Sequence, residues 1–445
     1  MVELRGSHAQ AREHLLTGLF GTYGLHTLDV YRRHGGYETL ARALRELEPE
    51  QIQAEVKASG LRGRGGAGFP TGTKWSFIPK DIPGPRYVVV NFDEAEPGTS
   101  KDRYLVENSP HLLLEGIGIA CRAIGSHQAW IYIRGEYDGP YGMLRAAIAE
   151  LRGAGILGDR PFDSDFALDI QLYRGHGAYI CGEETALLES LEGKRAQPRS
   201  RPPFPAVKGA WGRPTLINNV ETLATLPWIV RHGGEAYAQF GTEKSKGTRM
   251  LSVSGNVQKP GVYEVELGTS FRTVIMELAG GPPEGREVKV FWPGGSSAPV
   301  LTGSMLDTST DLDELARIGS MGGSGGVIVM DDSHCIVKAA ARLLQFYAHE
   351  SCGKCTPCRV GSNWAVRTFD RIQAGRGSAV DMQILDRIQA SLQGGRCLCG
   401  LGDSAGWVID STVKHFRAEY EAHCLSRVCP TGECEFARVE APAVA

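Results

Sequence analysis

Three cysteines at three-residue intervals, Cys352, Cys355 and Cys358 in the run Cys352-Gly353-Lys354-Cys355-Thr356-Pro357-Cys358, carry the strongest chemical signal in the chain. Glycine and proline between them let the thiolates converge on one inorganic centre. Such a centre needs a fourth ligand, and the next cysteines downstream are Cys397 and Cys399, in Gly394-Gly395-Arg396-Cys397-Leu398-Cys399-Gly400. A C-x2-C-x2-C run followed by one distant cysteine is a usual way of holding a [4Fe–4S] cubane. Structural zinc, the second reading, prefers separate C-x2-C or Cys/His pairs. Buried thiols acting as small hydrophobes are the least suited to a run broken by Gly, Lys, Thr and Pro. A cluster moves electrons singly, so the rest of the chain is expected to hold what feeds it.

Two glycine-rich stretches are candidates for that role. In Gly60-Leu61-Arg62-Gly63-Arg64-Gly65-Gly66-Ala67-Gly68-Phe69-Pro70-Thr71-Gly72 the backbone offers a row of N–H donors. Gly63-x-Gly65-x-x-Gly68 matches the dinucleotide fingerprint, but a helical pattern precedes it instead of a strand, which argues against a standard Rossmann first turn. Arg62, Arg64 and Lys74 suit phosphate, and Phe69, Trp75 and Phe77 suit stacking on an aromatic ring; a surface loop with a few core aromatics is the plain alternative. The second stretch, Gly175-His176-Gly177-Ala178-Tyr179-Ile180-Cys181-Gly182-Glu183-Glu184-Thr185, opens a helix with two glutamates. The helix dipole alone favours carboxylates there; functionally, a carboxylate receives a ribose diol and rejects a 2′-phosphate. Between the two, Asn91-Phe92-Asp93-Glu94-Ala95-Glu96 sets three carboxylates at the end of an apolar strand, where α/β sheets bind ligands. Arg201-Pro202-Pro203-Phe204-Pro205 presents one Arg and one Phe from a rigid, extended segment, and Asn218-Asn219 offers paired amides.

The elements that position these residues follow from periodicity. Leu40 and Leu44, then Ile52 and Val56, mark short entry helices. The run Arg86 to Asn91, the strand Ala129 to Ile133 and the alternation Phe166, Leu168, Ile170, Leu172 are separated by helical patterns through Leu113–Ile124 and Tyr141–Leu151. Strand, helix, strand, helix, strand predicts a parallel sheet with covering helices. From Thr248 a hairpin (249–255 and 261–265), a helix over 271–279 and a strand over 288–292 predict a small β-grasp-like α+β module. Its glycine loops, 293–297 and 322–326, are candidates for ligand contact, but linkers within the α+β domain are the expected reading. Beyond Met330 helical stripes predict a bundle that holds the cysteines. The expected organisation is an N-terminal helical segment (1–59), an α/β Rossmann-like ligand-binding domain (60–240), a β-grasp-like, ubiquitin-like domain (241–332), an all-α helical bundle with the iron–sulfur cluster (333–425) and a C-terminal tail (426–445).

Composition sets the class. At 445 residues, 42% hydrophobic and 22% charged, the chain is an ordinary multidomain globular protein. A net charge of −3 with interspersed signs gives no case for nucleic acid. No apolar h-region opens the chain and no apolar stretch reaches the roughly 18 residues of a membrane span, so a cytoplasmic protein is expected. Eleven cysteines are then ligands and buried thiols rather than disulfides. The 57 glycines, about 13% against a usual 7% or so, imply close backbone approach to something.

Over almost its whole length the chain resembles the FMN- and NADH-binding, [4Fe–4S]-carrying subunit of respiratory complex I (NADH:quinone oxidoreductase) and the related NAD-linked diaphorase subunits. The resemblance rests on Gly63-Arg64-Gly65-Gly66-Ala67-Gly68-Phe69, Asp93-Glu94-Ala95-Glu96-Pro97-Gly98-Thr99, Gly177 to Thr185, and Glu350-Ser351-Cys352 to Arg359, in that order. It implies FMN surrounded by Gly63, Arg64, Gly65, Gly66, Lys74, Asn91, Asp93, Tyr179, Gly182, Glu183, Asn218, Asn219 and Thr222. It also implies NADH held by Phe69, Phe77, Glu96, Glu184, Arg201 and Phe204, with Cys352, Cys355, Cys358 and Cys399 on the cluster and Cys397 an extra. The family's Leu/Phe-Gly/Ala-Asp-x-Ala pattern after the fourth cysteine is met by Leu401-Gly402-Asp403-Ser404-Ala405.

The implied activity is NADH dehydrogenase: hydride from NADH onto FMN, then single electrons to the cluster, with no acid or base residue and with Glu96 and Tyr179 lining the site. Lys354 and Arg359 beside the thiolates should favour the reduced cluster. Implied partners are a thioredoxin-like [2Fe–2S] subunit and a large multi-cluster iron–sulfur subunit, with quinone reached only through the complex, on the inner face of the cell membrane. The alternatives are the diaphorase subunit of an NAD-dependent hydrogenase or formate dehydrogenase, many of which carry fused domains absent here, and a cluster-stabilised binding module without turnover. Phe92 departs from the family in standing where a small residue is usual, close to the flavin, and Arg201 replaces a frequent Lys. Cys424, Cys429 and Cys434 match no cluster motif.

Overall fold

The computed structural model describes residues 14–434 and residue 436; the expectations for the first residues and for most of the C-terminal tail lie outside them. Among the described residues two sheets and a set of long helices build four hydrophobic clusters, two of them on opposite faces of the first sheet.

The first sheet has four strands, β1 (Tyr87–Phe92), β2 (Gln128–Ile133), β3 (Asp169–Arg174) and β4 (Thr215–Asn219), in the order β3-β2-β1-β4. Every pair is parallel. Val88, Val89 and Val90 are wholly buried, because covering elements lie on both faces of a parallel sheet, and this explains why β1 reads as a continuous apolar run. The chain builds outward from β1 to β3 and then returns to the other side of β1 as β4, so the strand order reverses between β1 and β4. Ligands of open α/β sheets bind outside the carboxyl ends of the strands at such a reversal. Asn91 and Asn219 face each other there in register. β3 begins at Asp169 rather than at Phe166, since Leu168 pairs instead with Gly158 in an isolated bridge.

The helices Glu38–Arg45 and Pro49–Ala58 precede this sheet, the second opened by Pro49 and a capping box between Glu48 and Gln51. The glycine loop follows, and the chain re-enters helix at Thr71–Ser76.

The second sheet has strands β5 (Thr248–Gly255), β6 (Gly261–Glu266), β7 (Val288–Trp292), β8 (Leu301–Thr302) and β9 (Gly326–Asp331), in the order β6-β5-β9-β7-β8. β5 and β6 form the expected hairpin, β9 runs parallel to β5, and β7 lies antiparallel to β9 and to β8. The turn expected as an α-helix over 271–279 is a π-helical turn, Thr273–Leu278.

Four helices complete the fold: Ile336–Glu350, Thr356–Gln373, Ala379–Leu392 and Gly400–Glu421. Leu344, Phe369, Leu385, Leu392 and Ile409 are wholly buried between them, and the same core takes in Ile180 and Ala186 from the first unit and Val290 and Trp292 from the second sheet. The bundle is therefore seated on both sheets. No described helix is long and apolar enough to cross a membrane.

Candidate flavin and iron–sulfur site

The carboxyl ends of β1 and β4 open into a cavity of about 400 Å³, within the size range of cofactor pockets. Its walls come from all three units. The first contributes the glycine loop (Arg64 to Ala67), the β1 end (Asn91, Asp93 to Glu96), Lys101, Asp102, Asn219 and the turn Tyr179, Ile180, Gly182 and Glu183. The second sheet contributes Ser297, Met321, Gly323 and Ser324, and the bundle contributes Cys399, Gly400, Leu401, Ser404 and Trp407. The glycine loops of the second sheet, expected to be linkers, thus wall the cavity. Gly295 has φ +91, and a Cβ there would come within 2.6 Å of Glu96 Cγ, so that glycine is required for the loop to close on Glu96.

Asn91 donates its side-chain amide to Gly182 O at 2.8 Å and accepts from the Asp93 N–H at 3.1 Å, tying the strand end to the turn of residues 179–182. Asp93 Oδ2 is buried with no hydrogen-bond partner, and burial holds its carboxyl well above the usual range. Arg64 is 1% exposed; one guanidinium nitrogen donates to Tyr237 and to Lys246 O, while Nε and the other terminal nitrogen are buried without partners. A buried acceptor and a buried cation left unsatisfied around one cavity fit a ligand that carries both hydroxyls and a phosphate, as FMN does. Glu96 is held on both oxygens: Tyr179 O–H donates to one at 2.6 Å, and Ser296 O–H and Ser297 N–H donate to the other at 3.0 and 2.6 Å. Burial raises the Glu96 pKa and these bonds oppose the rise.

Several residues expected around FMN stand behind the cavity wall instead. Gly63 N–H bonds Phe69 O, Asn218 Oδ1 accepts from Trp75 Nε1 at 3.0 Å, and Thr222 Oγ1 accepts from the Arg64 N–H at 2.9 Å. Trp75, at 1% exposure, is a core residue and not a stacking platform. Phe92 turns its ring into the core against Tyr137, on the face of β1 opposite Asn91, so it does not reach the cavity.

Outside the cavity Glu184 and Arg201, two of the residues expected to hold NADH, are joined with Lys74 in an ion chain. Glu184 takes Lys74 on one oxygen at 3.1 Å and Arg201 on the other at 3.3 Å. Arg201 lies over the Phe204 ring at 5.9 Å, and Phe69 and Phe77, which bracket the helix bearing Lys74, sit with centroids 6.1 Å apart. All three rings are about half exposed, as rings awaiting a stacked partner would be. The segment carrying Arg201 bends through Arg201–Pro203 rather than running straight.

Sequence reasoning missed a buried charge network that reaches the cavity wall through Lys101 and Asp102. Lys101 Nζ lies 2.7 Å from Asp102 and 2.9 Å from Glu221, all three at 1–4% side-chain exposure. Asn219 donates to Asp102 at 2.6 Å, and the Met250 N–H donates to Glu221 at 2.9 Å. Charged residues as far apart in the chain as Lys101 and Glu221 carry no local pattern that would have revealed it.

The cysteine run forms the loop between two bundle helices. Cys352 precedes the turn, Cys355 caps the helix Thr356–Gln373, and Cys358 lies in its first turn; Cys399 caps Gly400–Glu421. The loop is pinned to the first unit by Lys354 Nζ donating to Pro198 O at 2.6 Å, Gln197 to Cys352 O at 3.1 Å, and Glu350 accepting from the Tyr179 N–H at 3.0 Å. Arg359 donates to Gly353 O at 2.8 Å. Burial pushes the Cys358 thiol up to about 11 and Cys399 to about 12, so these groups ionise readily only beside a cation. Cys397 is 8% exposed and is raised to about 12, first by burial and then by the nearby Cys355 and Cys358.

Known proteins share this arrangement. Residues 56–228 match the family model of the Nuo51 FMN-binding domain, residues 338–423 that of the NADH-ubiquinone oxidoreductase-F iron-sulfur binding region, and residues 250–301 that of the SLBB domain. The second NADH-quinone oxidoreductase F subunit of Rhizobium meliloti (strain 1021) is 50% identical over 405 residues, 91% of this chain and 96% of that protein. The NADH-quinone oxidoreductase F subunit of Streptomyces coelicolor is 49% identical over 404 residues, 91% of this chain and 89% of that protein. A solved NAD+-reducing [NiFe]-hydrogenase in the H2-reduced state is similar with a TM-score of 0.81 at 35% identity, covering 94% of this chain and 68% of that one. Family models for both cofactor regions, and relatives matched over nine-tenths of the chain, place it by descent: the chain belongs to the family of NADH-quinone oxidoreductase F subunits.

Proposed function

We propose that this chain is the electron-input subunit of a respiratory NADH:quinone oxidoreductase, taking hydride from NADH and passing electrons singly to its own cluster and on to partner subunits. The observation that carries this reading is that Cys399 lines the same cavity as the glycine loop, Asp93, Glu96 and Tyr179. FMN bound there supplies the conversion of one hydride into single electrons. Arg64 and the loop N–H groups would hold its phosphate, Asp93 and Asn91 its hydroxyls. Glu96 and Tyr179, locked to each other, would fix the edge of the cavity against which the nicotinamide stacks, while Phe69, Phe77 and Phe204 would hold the adenine. Gly182, Glu183 and Asn219 complete the cavity wall; Gly63, Lys74, Asn218 and Thr222 act from behind it, positioning the residues that touch the ligand. Cys352, Cys355, Cys358 and Cys399 would ligate the [4Fe–4S] cluster. No side chain need give or take a proton, since the transferred species is a hydride.

Within this reading the second sheet is the β-grasp-like module and the first the Rossmann-like one, with domain limits near residues 60, 241 and 333. The partners would be a thioredoxin-like [2Fe–2S] subunit and a large multi-cluster subunit, with the assembly peripheral on the inner face of the cell membrane. A diaphorase role beside a hydrogenase is the second reading, favoured by the similarity to the NAD+-reducing enzyme.

An anaerobic spectrum before and after NADH tests the proposal. Bleaching of the flavin bands with a cubane EPR signal appearing is the expected result; a protein without flavin, or flavin reduced only by NADPH, would overturn it. Co-purification with a hydrogenase in place of a quinone-reducing complex would decide for the second reading.

A further inference from the structure

Two of the cysteines left without a role by the cluster motif, Cys429 and Cys434, meet Cys335 and His423 at the far end of the bundle. Cys335 caps the helix Ile336–Glu350, His423 lies just past the helix Gly400–Glu421, and Cys429 and Cys434 follow in the C-terminal segment. The four ligand atoms all lie within 4.8 Å of one another, and all four residues are buried. His423 Nε2 is 3.4 Å from Cys335 Sγ and 3.4 Å from Cys434 Sγ, and the two sulfurs are 3.7 Å apart. A tetrahedral zinc with Zn–S of about 2.3 Å and Zn–N of about 2.0 Å separates its ligands by roughly 3.8 Å (S to S) and 3.5 Å (S to N). The three separations among Cys335, His423 and Cys434 match these values, and Cys429 Sγ lies within 4.8 Å of each.

We propose that Cys335, His423, Cys429 and Cys434 form a structural zinc site distinct from the iron–sulfur cluster. The tautomer is right for it. His423 Nδ1 is 2.7 Å from Glu419 O, which can only accept, so Nδ1 carries the proton and Nε2 is left with its lone pair toward the sulfurs. Two other occupants are disfavoured by the same geometry. A disulfide needs sulfurs near 2.05 Å, and every cysteine here is free. A two-iron cluster divides its ligands between two metals and spreads them beyond a single tetrahedron. Four protein ligands leave no open position, so the site binds metal without catalysis.

What it would do follows from where its ligands lie. Cys335 begins the helix that ends at Glu350, one residue short of the cluster loop's Ser351, and Cys399, at the other cluster end, begins the helix that leads to His423. The two helices thus join the two metal sites like the sides of a clasp, with the zinc roughly 20 Å or more from the cluster at 1.5 Å per residue. Zinc, having no accessible redox change, would fasten the segment after His423 without intercepting electrons.

Metal analysis of the full chain with its cofactors tests this. One zinc per chain is expected in addition to the cluster's iron, with an X-ray absorption edge fitted by three sulfurs and one nitrogen. The double variant Cys429→Ser/Cys434→Ser should retain less than about a tenth of the zinc while keeping iron and flavin. If that variant fails to fold, release from the unsubstituted protein decides: a mercurial should free one zinc per chain to a chromogenic chelator. Absence of stoichiometric zinc, iron at these ligands, a disulfide among them by mass spectrometry, or zinc kept by the double variant would each overturn the proposal.

Discussion

Replacing Glu184 by Gln should convert an NADH-selective site into one that also accepts NADPH. Glu184 engages Lys74 at 3.1 Å and Arg201 at 3.3 Å, one cation on each carboxylate oxygen, and the three side chains are between 23% and 35% exposed. With the adenine of NADH held by Phe69, Phe77 and Phe204, as proposed above, the Glu184 carboxylate would meet the adenosine ribose diol and repel a 2′-phosphate. The amide removes that repulsion and releases both cations to a phosphate. A charge-assisted contact is worth about 1.5–3 kcal/mol when desolvated; partial exposure brings each of the two to about 1 kcal/mol. With the relieved repulsion the swing is about 2–3 kcal/mol, or roughly 30- to 150-fold in the ratio of kcat/KM for NADPH over NADH. Steady-state reduction of an artificial acceptor with each nucleotide measures it. A ratio unchanged within about threefold, with the protein still flavin-loaded, would show that Glu184 does not meet the ribose.

Other outcomes follow from buried charges and thiols. Lys101→Met leaves Asp102 and Glu221 buried without their cation and should cost about 3–5 kcal/mol, read as a lowered thermal midpoint of the holoprotein; a midpoint unchanged would mean water or relaxation replaces the lysine. Cys399→Ser should abolish the cubane EPR signal and Cys397→Ser should leave it, and the reverse result would exchange their roles. His111 accepts from Tyr37 O–H at 2.9 Å and donates to Glu150 at 3.1 Å as a neutral ring, and burial holds its pKa down to about 4 against the pull of Glu150. The unfolded chain protonates at about 6.5 and the folded one only near 4, so this stability is complete above pH 6.5 and falls as pH drops toward 4, by roughly 3 kcal/mol in all. Denaturation midpoints of His111→Asn should lose that slope; an unaltered slope would assign it to other groups.

The parallel sheet, the hairpin and the helical bundle were legible because their apolar periods are long and uninterrupted, as in Val88–Val90 or Ile336–Leu344. The candidate site was legible where chemistry is written in short motifs, in the cysteine run, Asp93 to Glu96 and Tyr179 to Glu184. What stayed hidden depends on approach between distant segments. Nothing local distinguishes the loops at 293–297 and 322–326 from linkers until the second sheet docks and sets Ser297 and Ser324 on the cavity. Phe92 looked close to the flavin because it sits between two cavity residues, yet strand alternation sends its ring the other way. Cys335 lies 88 residues before His423, too far for any spacing rule to join them.

A cavity walled by the first sheet, the second sheet and the bundle ties cofactor binding to their docking. The first sheet alone offers the flavin only one wall: without the second sheet Glu96 lacks Ser296 and Ser297, and without the bundle the side toward Cys399 is open. The yellow colour of bound flavin should therefore report the docking of these regions rather than the folding of any one of them, and a chain lacking the second sheet or the bundle should purify colourless.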